Sequence, residues 1–142
     1  MPPVPIQPLE SSKSLPACGQ CRDTSTLDFE FTFAYQPIVN IATKSIYAHE
    51  ALVRGMNGES AFSILSRVND TNRYQFDQAC RVVAIRGAAA LSMQELLSIN
   101  FLPNAVYEPQ ACIQTTFQAA RKYHFPIEQI IFEVTEGEQV IN

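Results

Sequence analysis

Three oxygen-bearing side chains, Glu50 in YAHEALVRG, Asn100 in LLSIN and Glu133 in IIFEVTE, fall at or near the ends of three apolar segments that read as strands. In sheets built from alternating strands and helices, ligands collect at the carboxyl ends of the strands, so residues distant in sequence converge there on one site. Two carboxylates and a carboxamide are hard oxygen donors. They suit Mg2+ or Mn2+ rather than Zn2+, which favours His and Cys. Taken singly, a carboxylate at a strand end is more often a solvated or salt-bridged group; recurrence at three strand ends is what favours a metal site.

The elements that must position these residues follow from local patterns. Phe29, Phe31 and Phe33 alternate with Glu30 and Thr32 and lead into Ala34–Val39, a β-rich stretch that Asn40 to Lys44 interrupts as a turn. A second strand covers Ser45 to Val53 and stops at Arg54-Gly55. Two helical patterns follow, a short one over 60–68 and a longer one over 72–91. In the longer one Phe76, Cys80, Val83, Gly87 and Leu91 recur at the spacing of one buried face. Ala88-Ala89-Ala90 reads as helix propensity alone. Leu96–Asn100 is a compact buried strand, Pro109 suits a first helical turn, and Ala111 to Tyr123 is helical until Pro126. Gln129–Val134 is a further strand, and Thr135 with Glu138 suggests a capping box. Strands alternating with helices imply parallel βαβ units covered on both faces.

Composition excludes several functions. The 142 residues are 46% hydrophobic and 17% charged, with a net charge of −4 and no Lys/Arg cluster, so nothing supplies the counterion release behind binding to a nucleic-acid polymer. No run approaches the ~18 apolar residues of a membrane span. MPPVPIQPL has no basic start or apolar signal core, which makes the cytoplasm the expected compartment. Five of the nine prolines fall in the first sixteen residues, so residues 1–26 read as a disordered tail and 27–142 as the folded part. Cys18-Gly19-Gln20-Cys21 has half the spacing of a zinc knuckle but no second pair; two inert thiols are the default reading. Cys80 and Cys112 read as small core residues. His49 falls on the strand face opposite Glu50 and is expected to pack, not to react. The five glycines are scattered and form no phosphate loop.

Four motifs in order, Tyr35-Gln36-Pro37-Ile38-Val39, Glu50-Ala51-Leu52-Val53-Arg54-Gly55, Ser98-Ile99-Asn100 with Pro103 after it, and Glu133-Val134-Thr135-Glu136, closely resemble the bacterial EAL domain family. The resemblance runs over residues 28–142 and covers the N-terminal half of that family's domain. It implies an α/β fold, a partial modified TIM barrel made of its first β/α units. It also implies cyclic di-GMP as ligand and metal-dependent hydrolysis of it to pGpG in second-messenger signalling. By matching motif, Glu50, Asn100 and Glu133 would hold Mg2+ or Mn2+, and Glu136 would support the loop over the metal site. Gln36 and Arg54 would contact the dinucleotide, Arg54 through a phosphate suited to its planar fork, and Leu52 would line the base pocket.

A complete (β/α)8 barrel usually needs roughly 250 residues. The aspartate pair that bridges two metals in the family, its lysine near the attacking water, and its later glutamate and glutamine all belong to a second half that these 142 residues do not contain. The expectation is therefore little or no turnover by this chain alone. The alternative is a non-catalytic module that binds cyclic di-GMP or another protein. Open strand edges and an uncovered apolar interior further predict a homo-oligomer, or a partner that covers the half-barrel.

Overall fold

The computed structural model describes residues 27–101 and 109–134. In chain order these form β1 (Thr32–Asn40), β2 (Ser45–Arg54), α1 (Ala61–Leu65), α2 (Arg73–Ala90), β3 (Leu96–Phe101), α3 (Pro109–Lys122), a 3-10 turn at Ile127–Gln129, and β4 (Ile130–Val134). One four-stranded sheet runs in the order β1-β2-β3-β4. β1 and β2 are antiparallel, whereas β2, β3 and β4 are parallel. The tail with Cys18 and Cys21, Pro103, and the capping pair Thr135 and Glu138 lie outside the described residues.

The β1–β2 hairpin turns where Asn40 places its side chain. Its Oδ1 accepts hydrogen bonds from the amides of Ala42 at 3.0 Å and Thr43 at 3.3 Å, an Asx turn that reverses the chain. β1 begins at Thr32, three residues later than the Phe29–Phe33 alternation predicts. Among the described residues, Phe29 and Phe31 pair with no strand. They are buried against Ile64, Phe76 and Cys80, with ring centroids of Phe31 and Phe76 5.1 Å apart. Their alternation reflects packing against a helix rather than a pleated ladder.

Side chains alternate across the sheet, and register assigns each to a face. Phe33, Tyr35, Ala51, Leu97, Ile99, Ile130 and Phe132 join Ala84, Ile85 and Ala88 of α2 in the main core. Burial of this apolar face against helices is the main force that fixes register, because a one-residue slip would turn every one of these side chains outward. The opposite face carries Gln36, Glu50, Leu52, Arg54, Ser98, Asn100 and Glu133.

On α2 the buried residues are Phe76, Asp77, Cys80, Arg81, Ala84, Ile85 and Ala88. Phe76 and Cys80 agree with the periodicity in the sequence, but Leu91 is 66% exposed, because the helix ends at Ala90 and the chain turns away. Ala88 is a fully buried core residue as well as a helix former. The small side chains let α2 approach the sheet closely: the Tyr35 hydroxyl donates to the Ala84 carbonyl at 2.7 Å.

Both long helices end alike. Ser92 and His124 adopt left-handed φ values of 54° each. The amide of Met93 then bonds the Ala88 carbonyl at 3.1 Å, and that of Phe125 the Ala120 carbonyl at 2.9 Å. These are Schellman ends, and the apolar residue after each left-handed position, Met93 or Phe125, is buried in the main core. Each helix is thereby aimed back toward the next parallel strand.

Candidate functional site

β2 and β3 are paired with Glu50 opposite Ser98, and β3 and β4 with Asn100 opposite Glu133. All four side chains project from the face away from the helices, near the carboxyl ends of the parallel strands. Two hydrogen bonds join them diagonally. Asn100 Nδ2 donates to Glu50 Oε1 at 3.1 Å, and Ser98 Oγ donates to Glu133 Oε1 at 2.5 Å. Ser98 is completely buried, while Glu50, Asn100 and Glu133 are half-buried. The three candidate ligands thus sit on three adjacent strands with part of each polar head open to a ligand.

The donor chemistry fits a hard divalent cation. With its Nδ2 engaged by Glu50, the Asn100 amide keeps Oδ1 as an oxygen donor, and each carboxylate keeps an oxygen outside the two hydrogen bonds. Among the described residues, no group of three or more His, Cys, Asp or Glu side chains is assembled that could hold a metal. The available set is therefore two carboxylates and one carboxamide, an all-oxygen set of the kind Mg2+ and Mn2+ prefer.

The residues expected to touch a ligand surround this set unequally. A cavity of about 540 Å3 at the strand ends reaches both faces of the sheet: Glu50, Leu52, Arg54 and Asn100 line it from the polar face, and Leu65 and Asp77 from the helix side. Arg54 ends β2 on the same face as Glu50, and its Nη1 donates to the Val53 carbonyl at 2.7 Å. Gln36 is level with Glu50 in register but lies on the outer strand β1 and is exposed. Glu136 lies outside the described residues. His49 faces the other way, with Nδ1 3.8 Å from Glu95 Oε2, as strand alternation predicts.

Three site-proximal residues, Ser98, Asp77 and Arg81, were given no role by the sequence reading. Ser98 is two positions before Asn100 in a strand, so alternation already places it on the same face; the motif included it, but its neutral chemistry gave no reason to assign it a role. Asp77 and Arg81 are spaced like an exposed helical ion pair, yet they form a buried one beside the cavity. Next to them the Cys80 thiol has its pKa pushed far up, first by burial and then by the Asp77 charge. It is a packed core thiol, not a nucleophile.

The sequence profile of the EAL domain matches residues 22–142. The "Blue light- and temperature-regulated antirepressor BluF" of Escherichia coli is 28% identical over 109 residues, which is 76% of this chain and 27% of that protein. A standalone versatile EAL protein from Vibrio cholerae, solved with cyclic di-GMP bound, is 62% identical with a TM-score of 0.78, covering 82% of this chain and 49% of that one. Klebsiella pneumoniae BlrP1, solved as a manganese and cyclic di-GMP complex, is 28% identical with a TM-score of 0.70, covering 78% of this chain and 29% of that one. The chain therefore spans half or less of each of these relatives.

Proposed function

The chain belongs to the EAL domain family, and on that premise we propose that it supplies the Glu50, Asn100 and Glu133 part of a metal-dependent site that binds cyclic di-GMP and hydrolyses it to pGpG. The observation that carries this reading is the Asn100–Glu50 hydrogen bond beside the Asn100–Glu133 register pair, which gathers three hard oxygen donors on the face away from the helices. Its four-stranded sheet is a portion of the TIM barrel of its structural relatives.

In this reading Glu50, Asn100 and Glu133 hold Mg2+ or Mn2+. Such cations, when bound, lower the pKa of a coordinated water and offset charge on the phosphoryl oxygens. Arg54 gives up its bond to the Val53 carbonyl and presents its guanidinium fork to a phosphate. Leu52 offers apolar surface to a base, Gln36 contributes an amide, and Glu136 supports the loop over the metal site. The cytoplasm is the compartment that fits a second-messenger role. No helix among the described residues is long and apolar enough to cross a membrane.

Turnover by these 142 residues alone is expected to be negligible, because the sequence contains no adjacent aspartate pair to bridge a second cation. Purified chain mixed with cyclic di-GMP and Mg2+ or Mn2+ tests this by calorimetry and by chromatography of the products. Binding without pGpG supports the proposal, pGpG formation overturns the expectation of inactivity, and absence of any binding overturns the site itself and leaves an interaction role.

A further inference from the structure

Ser98 is the one fully buried polar side chain among the residues that join the candidate donors, and its hydroxyl is committed to one of them: Oγ donates to Glu133 Oε1 at 2.5 Å. The bond is diagonal. Ser98 is opposite Ile131 in register, while Glu133 is opposite Asn100. The Glu133 carboxylate is therefore drawn back along the strand toward Ser98, and one of its two oxygens is occupied. We infer that Ser98 is a positioning residue, which holds Glu133 so that Oε2 faces the cation as a single oxygen donor. This rests on the metal reading of Glu50, Asn100 and Glu133.

A hydroxyl donating to a carboxylate is a charge-assisted bond, stronger than a neutral one, and in a buried setting it fixes the rotamer of the accepting side chain. A carboxylate with one oxygen held by a buried hydroxyl presents the other oxygen and resists rotating to chelate through both. That favours the compact octahedral shell of Mg2+ or Mn2+ over the larger and more flexible shell of Ca2+. Asn100 fixes Glu50 in a comparable way from the same strand. β3 thus aims a donor on each neighbouring strand, one through Ser98 and one through Asn100.

Mn2+ binding by the full chain, read from the electron paramagnetic resonance signal of the free ion, tests this without any turnover. Ser98→Ala and Ser98→Cys are the informative variants; the second preserves volume, and its thiol is a weak donor and a poor ligand for a hard cation. Both are expected to bind Mn2+ about 10–100-fold more weakly, the usual effect of losing the partner that orients a ligand, and to narrow the preference for Mn2+ over Ca2+. Ser98→Thr, which keeps the hydroxyl, is expected to restore affinity. Cys and Ala variants that bind within twofold of the wild type, or a Thr variant as weak as Ala, would overturn the inference while leaving the metal site standing. A wild-type chain that binds no Mn2+ would overturn both.

Discussion

Asn100 and Glu50 are fifty residues apart in sequence, yet Asn100 Nδ2 donates to Glu50 Oε1 at 3.1 Å across the β2–β3 pair. The bond aligns the Glu50 carboxylate and orients the amide oxygen of Asn100 in one step. On the proposed metal reading, Asn100→Ala removes a donor and releases a neighbouring one. The variant is expected to lose more Mn2+ affinity than the 10–100-fold typical of an orienting partner alone. Asn100→Asp keeps an oxygen donor but places two carboxylates in contact, and should bind more tightly than Asn100→Ala. Titration of Mn2+ into the three proteins checks the order, and equal affinity across them would remove Asn100 from the site.

Tyr35 links β1 to α2 and leaves no room for a side chain at Gly87 without moving. A Cβ at Gly87 would stand 2.2 Å from the Tyr35 hydroxyl oxygen, so Gly87→Ala must displace the ring from its bond to Ala84. The expected loss is about 1–3 kcal/mol from overpacking, against a gain of about 1 kcal/mol in helix propensity. In a Tyr35→Phe background the clashing oxygen is gone, and Gly87→Ala should become near neutral or stabilising. Urea denaturation of the four proteins measures the cycle; additive effects would mean that Tyr35 and Gly87 do not meet.

How much of this was legible in the sequence depends on the residue. β2 and β3 and the convergence of Glu50 with Asn100 followed from compact apolar runs; those runs implied cover on both faces, whereas among the described residues helices cover one face and the other carries Glu50, Asn100 and Glu133. Phe29 and Phe31 carried the same period without pairing, since alternation cannot separate a strand from an extended segment packed under a helix. On α2, Asp77 and Arg81 received no reading, because their i,i+4 spacing is equally that of a solvated surface pair, and Ala88 looked inert because a small residue shows its value only when another element approaches it. Ser92 and His124 gave no helix-stop signal, as neither is the glycine or asparagine expected at a left-handed cap.

The Tyr35 hydroxyl also predicts a pH dependence. Burial raises its pKa from 10.0 to about 12, against smaller lowering effects from the Ala88 backbone and the Arg86 charge. The neutral form is therefore favoured in the folded state. Its contribution is complete below the unfolded value of 10.0 and is lost as pH rises toward 12, because the unfolded chain then binds fewer protons than the folded one. Urea midpoints measured from about pH 8.5 to about pH 11.5 should fall more steeply for the wild type than for Tyr35→Phe, which has no proton to lose there. Parallel pH profiles would show that the phenol titrates alike in both states.

The two Schellman ends predict a gain. Ser92 and His124 hold left-handed backbone angles that glycine adopts without strain. Ser92→Gly and His124→Gly are each expected to stabilise the fold by about 0.5–1 kcal/mol, the strain relieved being partly offset by the greater freedom of glycine when unfolded. Ser92→Val, branched at Cβ, should destabilise it. Thermal unfolding at fixed pH reads all three, and a Gly variant less stable than the wild type would place these residues outside the left-handed region in solution.

Among the described residues, β1 and β4 are the outer strands of the sheet, and the hairpin end of β1 and β2 exposes Val39, Ile41, Ile46 and Tyr47, with Ile41 87% accessible. Unpaired strand edges beside apolar surface promote association. The 142-residue chain is expected to form a dimer or larger assembly, detected as mass by light scattering. Lys substitutions at Val39 and Ile41, which add charge at the edge without touching the core, should shift it toward monomer. The outer strand would then be unable to pair with a second chain at low desolvation cost, because each approach would bury an ammonium group with no partner. A wild-type mass of one chain across the concentration range would refute self-association through this edge.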